Sequence, residues 1–111
     1  MTKKEDPIKE KNKTIIQAAD DKLAKDIKTI KLDNQAGLSD YFIIMSGRNK
    51  NHTQAIADAI EEALSQAGTP PVRTEGMREG GWILLDCAET IVHIFTEEKR
   101  EYYGLEELWS D

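Results

Sequence analysis

Little in this chain is equipped for covalent or metal chemistry. It has one cysteine, Cys87, and two histidines, His52 and His93, in 111 residues. A single cysteine excludes an internal disulfide and fits a reducing compartment. At the end of an apolar run, Cys87 reads as a small buried hydrophobe. No His- or Cys-rich spacing of the kind that binds zinc occurs. There is no Asp-x-Asp pair, whereas a nucleotidyl-transferring enzyme needs paired carboxylates to hold its metal ions. Walker and G-x-G-x-x-G loops are absent, and Ser46-Gly47 offers only one glycine toward a phosphate-binding turn. No apolar run approaches the ~18 residues of a membrane span. The start, Met1-Thr2-Lys3-Lys4-Glu5-Asp6-Pro7, lacks the apolar segment of a secretory signal. The expectation is a soluble cytoplasmic protein that is not an enzyme and holds no metal or cofactor.

What is present concentrates near the end. Three of the seven aromatics fall in the last ten residues, as Tyr102, Tyr103 and Trp109. Chain ends usually fray, so aromatics there suggest a tail docked on its own core or on another protein. Charge is also uneven. Residues 1–74 carry 12 Lys/Arg and 11 Asp/Glu, net +1, whereas residues 75–111 carry 3 and 10, net −7. Contact with a phosphate backbone depends on clustered Lys and Arg. The aromatic third is therefore expected to make little direct nucleic-acid contact and to suit a basic protein surface, because complementary charge fixes register and speeds encounter.

The length fits one domain. Residues 1–12 read as a flexible, charged N-terminal arm, and residues 13–111 as a single α/β domain. Ile16, Ala19, Leu23 and Ile27 lie at helical spacing, predicting a helix over 13–26. Ile30 and Leu32 alternate with charged residues, predicting a short strand; Asn34-Gln35-Ala36-Gly37 reads as a turn, and Asp40 after Ser39 as a turn-former. Tyr41–Met45 is a continuous apolar run, predicting a buried strand. The stripe Ala55, Ile56, Ala59, Ile60, Ala63, Leu64 and Ala67 predicts a helix over 52–67, with Asn51 as N-cap and Gly68 past its end. With the Val72-Arg73-Thr74 strand it completes a βαβ unit of two parallel strands.

Gly76 to Gly81 reads as a flexible connection to strands 82–87 and 90–96, which are so close that they form an antiparallel hairpin. A tight turn at Ala88-Glu89 sets Asp86 opposite Ile91, Leu84 opposite His93 and Trp82 opposite Phe95. Ile83, Leu85, Val92 and Ile94 then share an aliphatic face suited to packing under a helix. The other face mixes Trp, Phe, His and Asp, which a dry core rarely prefers. Short helical turns follow around Gly104. His93 has no Ser, Cys or carboxylate nucleophile beside it in sequence and reads as a structural or interface histidine. Trp82 and Trp109 suit a core, but their acidic surroundings and the prominence of Trp at interface hot spots place at least one at an interface.

The ordered set Ser39-Asp40-Tyr41-Phe42, Ser46-Gly47, Ala55-Ile56-Ala57-Asp58, Glu75-Gly76, Gly81-Trp82-Ile83-Leu84-Leu85-Asp86, Ile91-Val92-His93-Ile94-Phe95, Arg100, Tyr102-Tyr103 and Leu105-Glu106-x-Leu108-Trp109 resembles the ribosomal silencing factor (Iojap-like) family from about residue 14 to the end. The resemblance implies a mixed β-sheet flanked by helices, nucleotidyltransferase-like without its catalytic carboxylates. It implies binding to the large ribosomal subunit through ribosomal protein fourteen, steric blocking of small-subunit joining, and a homodimer when free. Carried onto this chain, the family's binding surface comprises Glu75, Gly76, Met77, Trp82, His93, Tyr102, Tyr103, Leu105 and Trp109. Cys87 and Ala88 stand where the family's hairpin often has an aromatic or a glycine. Arg48 and Lys50 make the Ser-Gly loop unusually basic and are expected to stay clear of that surface. An assembly adaptor using the same contact, and a nucleotide-binding enzyme near Ser46-Gly47 and Asp40, are the alternatives.

Overall fold

The order of elements along the chain is α1 (Pro7–Asp21), β1 (Lys25–Lys31), β2 (Tyr41–Gly47), α2 (Lys50–Gln66), β3 (Arg73–Glu75), β4 (Trp82–Cys87), β5 (Thr90–Thr96), α3 (Glu97–Tyr103) and α4 (Leu105–Trp109). They come from a computed structural model that describes residues 7–32 and 40–109, without the Trp109 side chain. The expected turn at 34–37 and Ser39 lie outside the described residues.

One mixed sheet runs in the order β1-β2-β5-β4-β3. β2 and β5 are parallel, and the other three neighbouring pairs are antiparallel. The β2–α2–β3 crossover does give two strands of one direction. They are not neighbours, because the β4–β5 hairpin is inserted between them and β3 stands at the far edge. The hairpin register agrees with the expectation: Trp82 faces Phe95, Leu84 faces His93 and Asp86 faces Ile91.

α1 and α2 cover one sheet face. Ile15, Ala18 and Ala19 of α1, and Ile56, Ala57, Ile60 and Leu64 of α2, close over Ile43, Met45, Ile83, Leu85, Cys87, Val92 and Ile94. Burial of Cys87 pushes its thiol up to about 11, consistent with an inert core residue.

α1 is already helical at Pro7, the first described residue, rather than from near residue 13, so residues 7–12 of the expected arm are helix. Proline is tolerated in the first turn of a helix, where its missing N–H has no intrahelical partner to lose. This first stretch is anchored at long range. Lys11 Nζ donates to the Cys87 carbonyl and to Glu89 Oε1, both at 3.0 Å, and Thr90 Oγ1 lies 2.6 Å from the buried Asn12 Oδ1. The Lys11 hydrogen bond holds the Glu89 carboxyl below its ordinary value.

The end of α1 departs from the expected stripe. Leu23 has φ 63°, and its N–H reaches the Asp20 carbonyl at 2.9 Å while the Ala24 N–H reaches Ala19 at 3.0 Å. That pair of bonds is a Schellman closure, which normally ends on glycine. Leu23 is consequently 72% exposed, and Ile27 joins the core from β1 instead. α2 closes in the same way on Gly68, as expected, with φ 83° and bonds from Gly68 to Ser65 and from Thr69 to Leu64. Its N-cap is Asn49, not Asn51: the Asn49 side chain accepts the His52 N–H at 2.9 Å, and Lys50 and Asn51 form the first turn.

Leu23 occupies a backbone conformation that disfavours a side chain with a Cβ by about 1 kcal/mol. Leu23→Gly is expected to raise the unfolding free energy by up to about 1 kcal/mol in urea titration, since little Leu23 burial is lost. A lowered midpoint would contradict this account of the turn.

Candidate docking surface on the open face of the sheet

Strand periodicity sends a second set of side chains to the face away from α1 and α2. β4 contributes Trp82, Leu84 and Asp86; β5 contributes Ile91, His93 and Phe95. The register adds Glu75 beside Leu84 and Arg73 beside Asp86 from β3, and Ile44 beside His93 and Phe42 beside Ile91 from β2. Ile30, Leu32, Ile44 and Phe95 make a second buried cluster, with Phe42, Trp82 and Leu105 packed at its margin.

Trp82 is the hub of the aromatic contacts. Its ring stacks on Phe95 with centroids 5.0 Å apart and meets Tyr103 at 4.7 Å. Its indole N–H donates to His93 Nδ1 at 3.1 Å. Because an indole N–H can only donate, Nδ1 is the bare nitrogen and the neutral ring carries its proton on Nε2. That Nε2 is buried and has no hydrogen-bond partner among the described residues. The Phe42 ring meets the imidazole edge-on at 4.6 Å. Burial pushes the His93 pKa down to about 4.

The tail wraps one end of this face. Thr96 caps α3, accepting the Lys99 N–H at 3.3 Å, and Gly104 ends it with φ 55°. α4 is then tied back by Arg100, whose guanidinium donates to Glu106 Oε1 at 2.7 Å and to Ser46 Oγ at 2.9 Å. The Arg100 hydrogen bond holds the Glu106 carboxyl below its ordinary value. Leu105 packs inward, whereas Tyr103 is 45% and Tyr102 75% exposed. The tail is therefore docked on its own core while part of its aromatic surface faces solvent.

Of the residues singled out from sequence, Glu75, Trp82, His93, Tyr103 and Leu105 come together on or beside this face. Gly76 stands at its edge with φ 80°, where a Cβ would overlap the Trp82 carbonyl oxygen. Met77 departs from the expectation: after the chain reverses at Gly76 it packs against the aliphatic core under the helices. Tyr102 lies outermost, against Tyr103 and under the Lys99 ammonium at 5.8 Å. The Trp109 side chain is outside the described residues.

Phe42, Leu84 and Ile91 are half-buried on the same face and extend it beyond the residues to which the sequence points. Leu84 was legible from the two-residue period; Phe42 required knowing that β2 lies beside β5. Arg73 bridges Glu75 at 3.2 Å and Asp86 at 3.8 Å along the rim. Arg48 and Lys50, expected to stay clear, line a groove whose other wall includes Trp82 and Tyr103. The end of β2 and the start of β4 both flank Phe95, which brings the Ser-Gly loop to that corner.

The Ser46-Gly47 turn is closed as a phosphate cradle. The Ser46 hydroxyl is 2% exposed and engaged by Arg100, and Gly47 is pressed against Thr53. Among the described residues, no group of three His, Cys, Asp or Glu side chains is placed to hold a metal ion, and no helix is long and apolar enough to cross a membrane.

This is a small mixed α/β domain with one sheet face sealed by α1 and α2 and an aromatic second face that α3 and α4 cover only at one end. Residues 5–111 match the family model described as "Ribosomal silencing factor during starvation". The chain belongs to the ribosomal silencing factor family. It is 37% identical over 94 residues to the ribosomal silencing factor RsfS of Bacillus subtilis, covering 85% of this chain and 80% of that one. It is 31% identical over 90 residues to the mouse protein named mitochondrial assembly of ribosomal large subunit protein 1, covering 78% of this chain and 40% of that one. A crystal structure of a Chromobacterium violaceum protein superposes with a TM-score of 0.89 at 31% identity, over 94% of this chain and 87% of that one.

His93 titrates far below its ordinary 6.5 in the fold, so the unfolded chain takes up the proton first as pH falls. Stability is complete above the unfolded value and is lost as pH drops from about 6.5 toward 4. Between pH 7 and 5 the loss is about 2 kcal/mol. Urea titrations at the two pH values, compared with His93→Gln, measure it. The same pH dependence in that variant would contradict the assignment to His93.

Proposed function

We propose that the open face docks on the large ribosomal subunit, through ribosomal protein fourteen, and that the bound domain sterically blocks joining of the small subunit. In this reading the chain acts in the cytoplasm, represses translation when nutrients are scarce, and is a homodimer when free. The observation that carries it is the aromatic patch of half-buried Trp82 on β4 and exposed Tyr103 at the end of α3, bordered by Glu75 and Asp86, within a segment of net charge −7 over residues 75–111. Buried aromatic anchors with a polar rim are the usual energetic centre of an interface. Arg73 offsets one of the two border carboxylates, and the remaining negative charge suits a basic ribosomal protein. Steric exclusion requires only slow dissociation, not a reaction.

The mouse relative's name supports a second reading, an adaptor that assists large-subunit assembly by the same contact. The nucleotide-binding alternative gains no support from the engaged Ser46 hydroxyl. A subunit-joining assay with purified subunits separates the first two. Binding to free large subunits that prevents joining supports silencing; binding that leaves joining intact supports the adaptor; no binding at low salt removes both.

Tyr103→Ala is expected to weaken binding to large subunits by more than about 2 kcal/mol with an unchanged circular dichroism spectrum, since Tyr103 is 45% exposed. Unchanged affinity would remove Tyr103 as an anchor.

A further inference from the structure

The connection between β3 and β4 carries Gly76 and leads directly into Trp82. Its glycines suggested a flexible link, yet the chain is held at several points. The Gly80 N–H closes on the Gly76 carbonyl at 2.9 Å. Gly76 and Gly80 both take positive φ, 80° and 73°, so the segment folds back on itself.

The remaining ties come from α2, which packs on the opposite side of the sheet. The Thr53 hydroxyl lies 2.6 Å from the Gly80 carbonyl and 2.9 Å from that of Lys50. One hydroxyl proton does not serve both acceptors fully, and the shorter approach gives Gly80 the larger share. Thr53 is fully buried and Gly80 is buried, so water is poorly placed to replace this bond. Next to it, the Gln54 side-chain amide donates to the Met77 carbonyl at 2.8 Å and to that of Arg78 at 3.3 Å. Lys50 packs closely against Gly80, where an added Cβ would meet the Lys50 Cβ at 3.0 Å.

The first turn of α2 is itself fixed. Asn49 caps it. His52 accepts the Arg48 N–H at Nδ1, at 2.9 Å, and donates from Nε2 to the Lys22 carbonyl at 2.7 Å. A rigid helix start thus grips the carbonyls at 77, 78 and 80 on the way to Trp82.

We infer that Thr53 and Gln54, which lie off the open face, are positioning residues for it: they clamp the 76–81 connection and thereby set Glu75 and Trp82 in the arrangement a partner meets. The binding role rests on the docking reading above; the clamp itself does not. A preformed loop spares the partner the cost of selecting one conformation from several, and releasing it reduces apparent affinity by the fraction of molecules still arranged for binding.

The test uses the full chain with Thr53→Val, which keeps the Cγ2 packing and removes the hydroxyl, and Thr53→Ser, which restores the donor. Amide exchange over residues 77–81 is read without a partner, and association and dissociation rates are read on purified large subunits. Thr53→Val is expected to speed exchange at 77–81 and to slow association by about tenfold with little change in dissociation, and Thr53→Ser to restore both. Gln54→Ala, at a half-buried surface site, is expected to act in the same direction and covers the case in which the valine variant fails to fold. Unchanged exchange at 77–81 in the folded variants would overturn the clamp. Faster exchange with unchanged association, in a chain whose parent binds, would overturn the positioning role. Failure of the parent chain to bind overturns the docking reading and the binding role with it, while exchange still decides whether the clamp exists.

Discussion

The register of the β4–β5 hairpin is the constraint on which the rest depends. A slip of one residue would turn β4 over relative to β5, which its parallel pairing with β2 holds in place, sending Trp82 and Leu84 under the helices and Ile83 and Leu85 to the open side. Register is held at both ends. At the turn, Asp86 accepts the Ala88 N–H at 3.0 Å, and Lys11 and Asn12 reach across from α1 to Cys87, Glu89 and Thr90. At the other end the Trp82–His93 hydrogen bond joins the strands diagonally on the open face. The turn carries Ala88 at φ 70°, a conformation in which hairpins usually place glycine or asparagine, so the long-range ties do work that the local sequence does less well.

The sealed and open faces are built with different materials. Under α1 and α2 the cluster is aliphatic and needs no polar partner. The open side contains polar groups that must be matched: Arg100 answers Ser46 and Glu106, and Trp82 answers one nitrogen of His93. The second nitrogen has no partner among the described residues, a cost that a fully apolar residue would avoid. The same imidazole orients the indole beneath Tyr103, so the least economical group in the core supports the ring at the centre of the exposed patch. The connection from Gly76 to Gly81 extends this preorganisation beyond the sheet, since its carbonyls are gripped by α2.

Local patterns made much of this legible from sequence. The hairpin register followed from a two-residue period and a turn too short for anything but antiparallel pairing. Gly68 and Gly104 marked helix ends because glycine tolerates positive φ. What escaped was set by partners distant in sequence. Pro7 and the charges around it hid the start of α1, whose anchors are on the hairpin some 76 to 78 residues away. Leu23 ends that helix in a conformation its side chain does not announce. The hairpin's insertion between β2 and β3 is a property of the whole sheet, and it alone brings Phe42 onto the open face and the Arg48-Lys50 loop beside Trp82. Met77 sat among the expected contacts by position, but one positive-φ glycine turns it toward the core.

One face of the sheet serves the fold, and the other is proposed to meet the ribosome. Amide exchange of the chain, free and bound to purified large subunits, tests it most directly. Added protection is expected over residues 75–85 and 102–105, with α1 and the outer surface of α2 unchanged. Protection confined to α1 and α2, with the Trp82–Tyr103 region still exchanging as in the free chain, would contradict it.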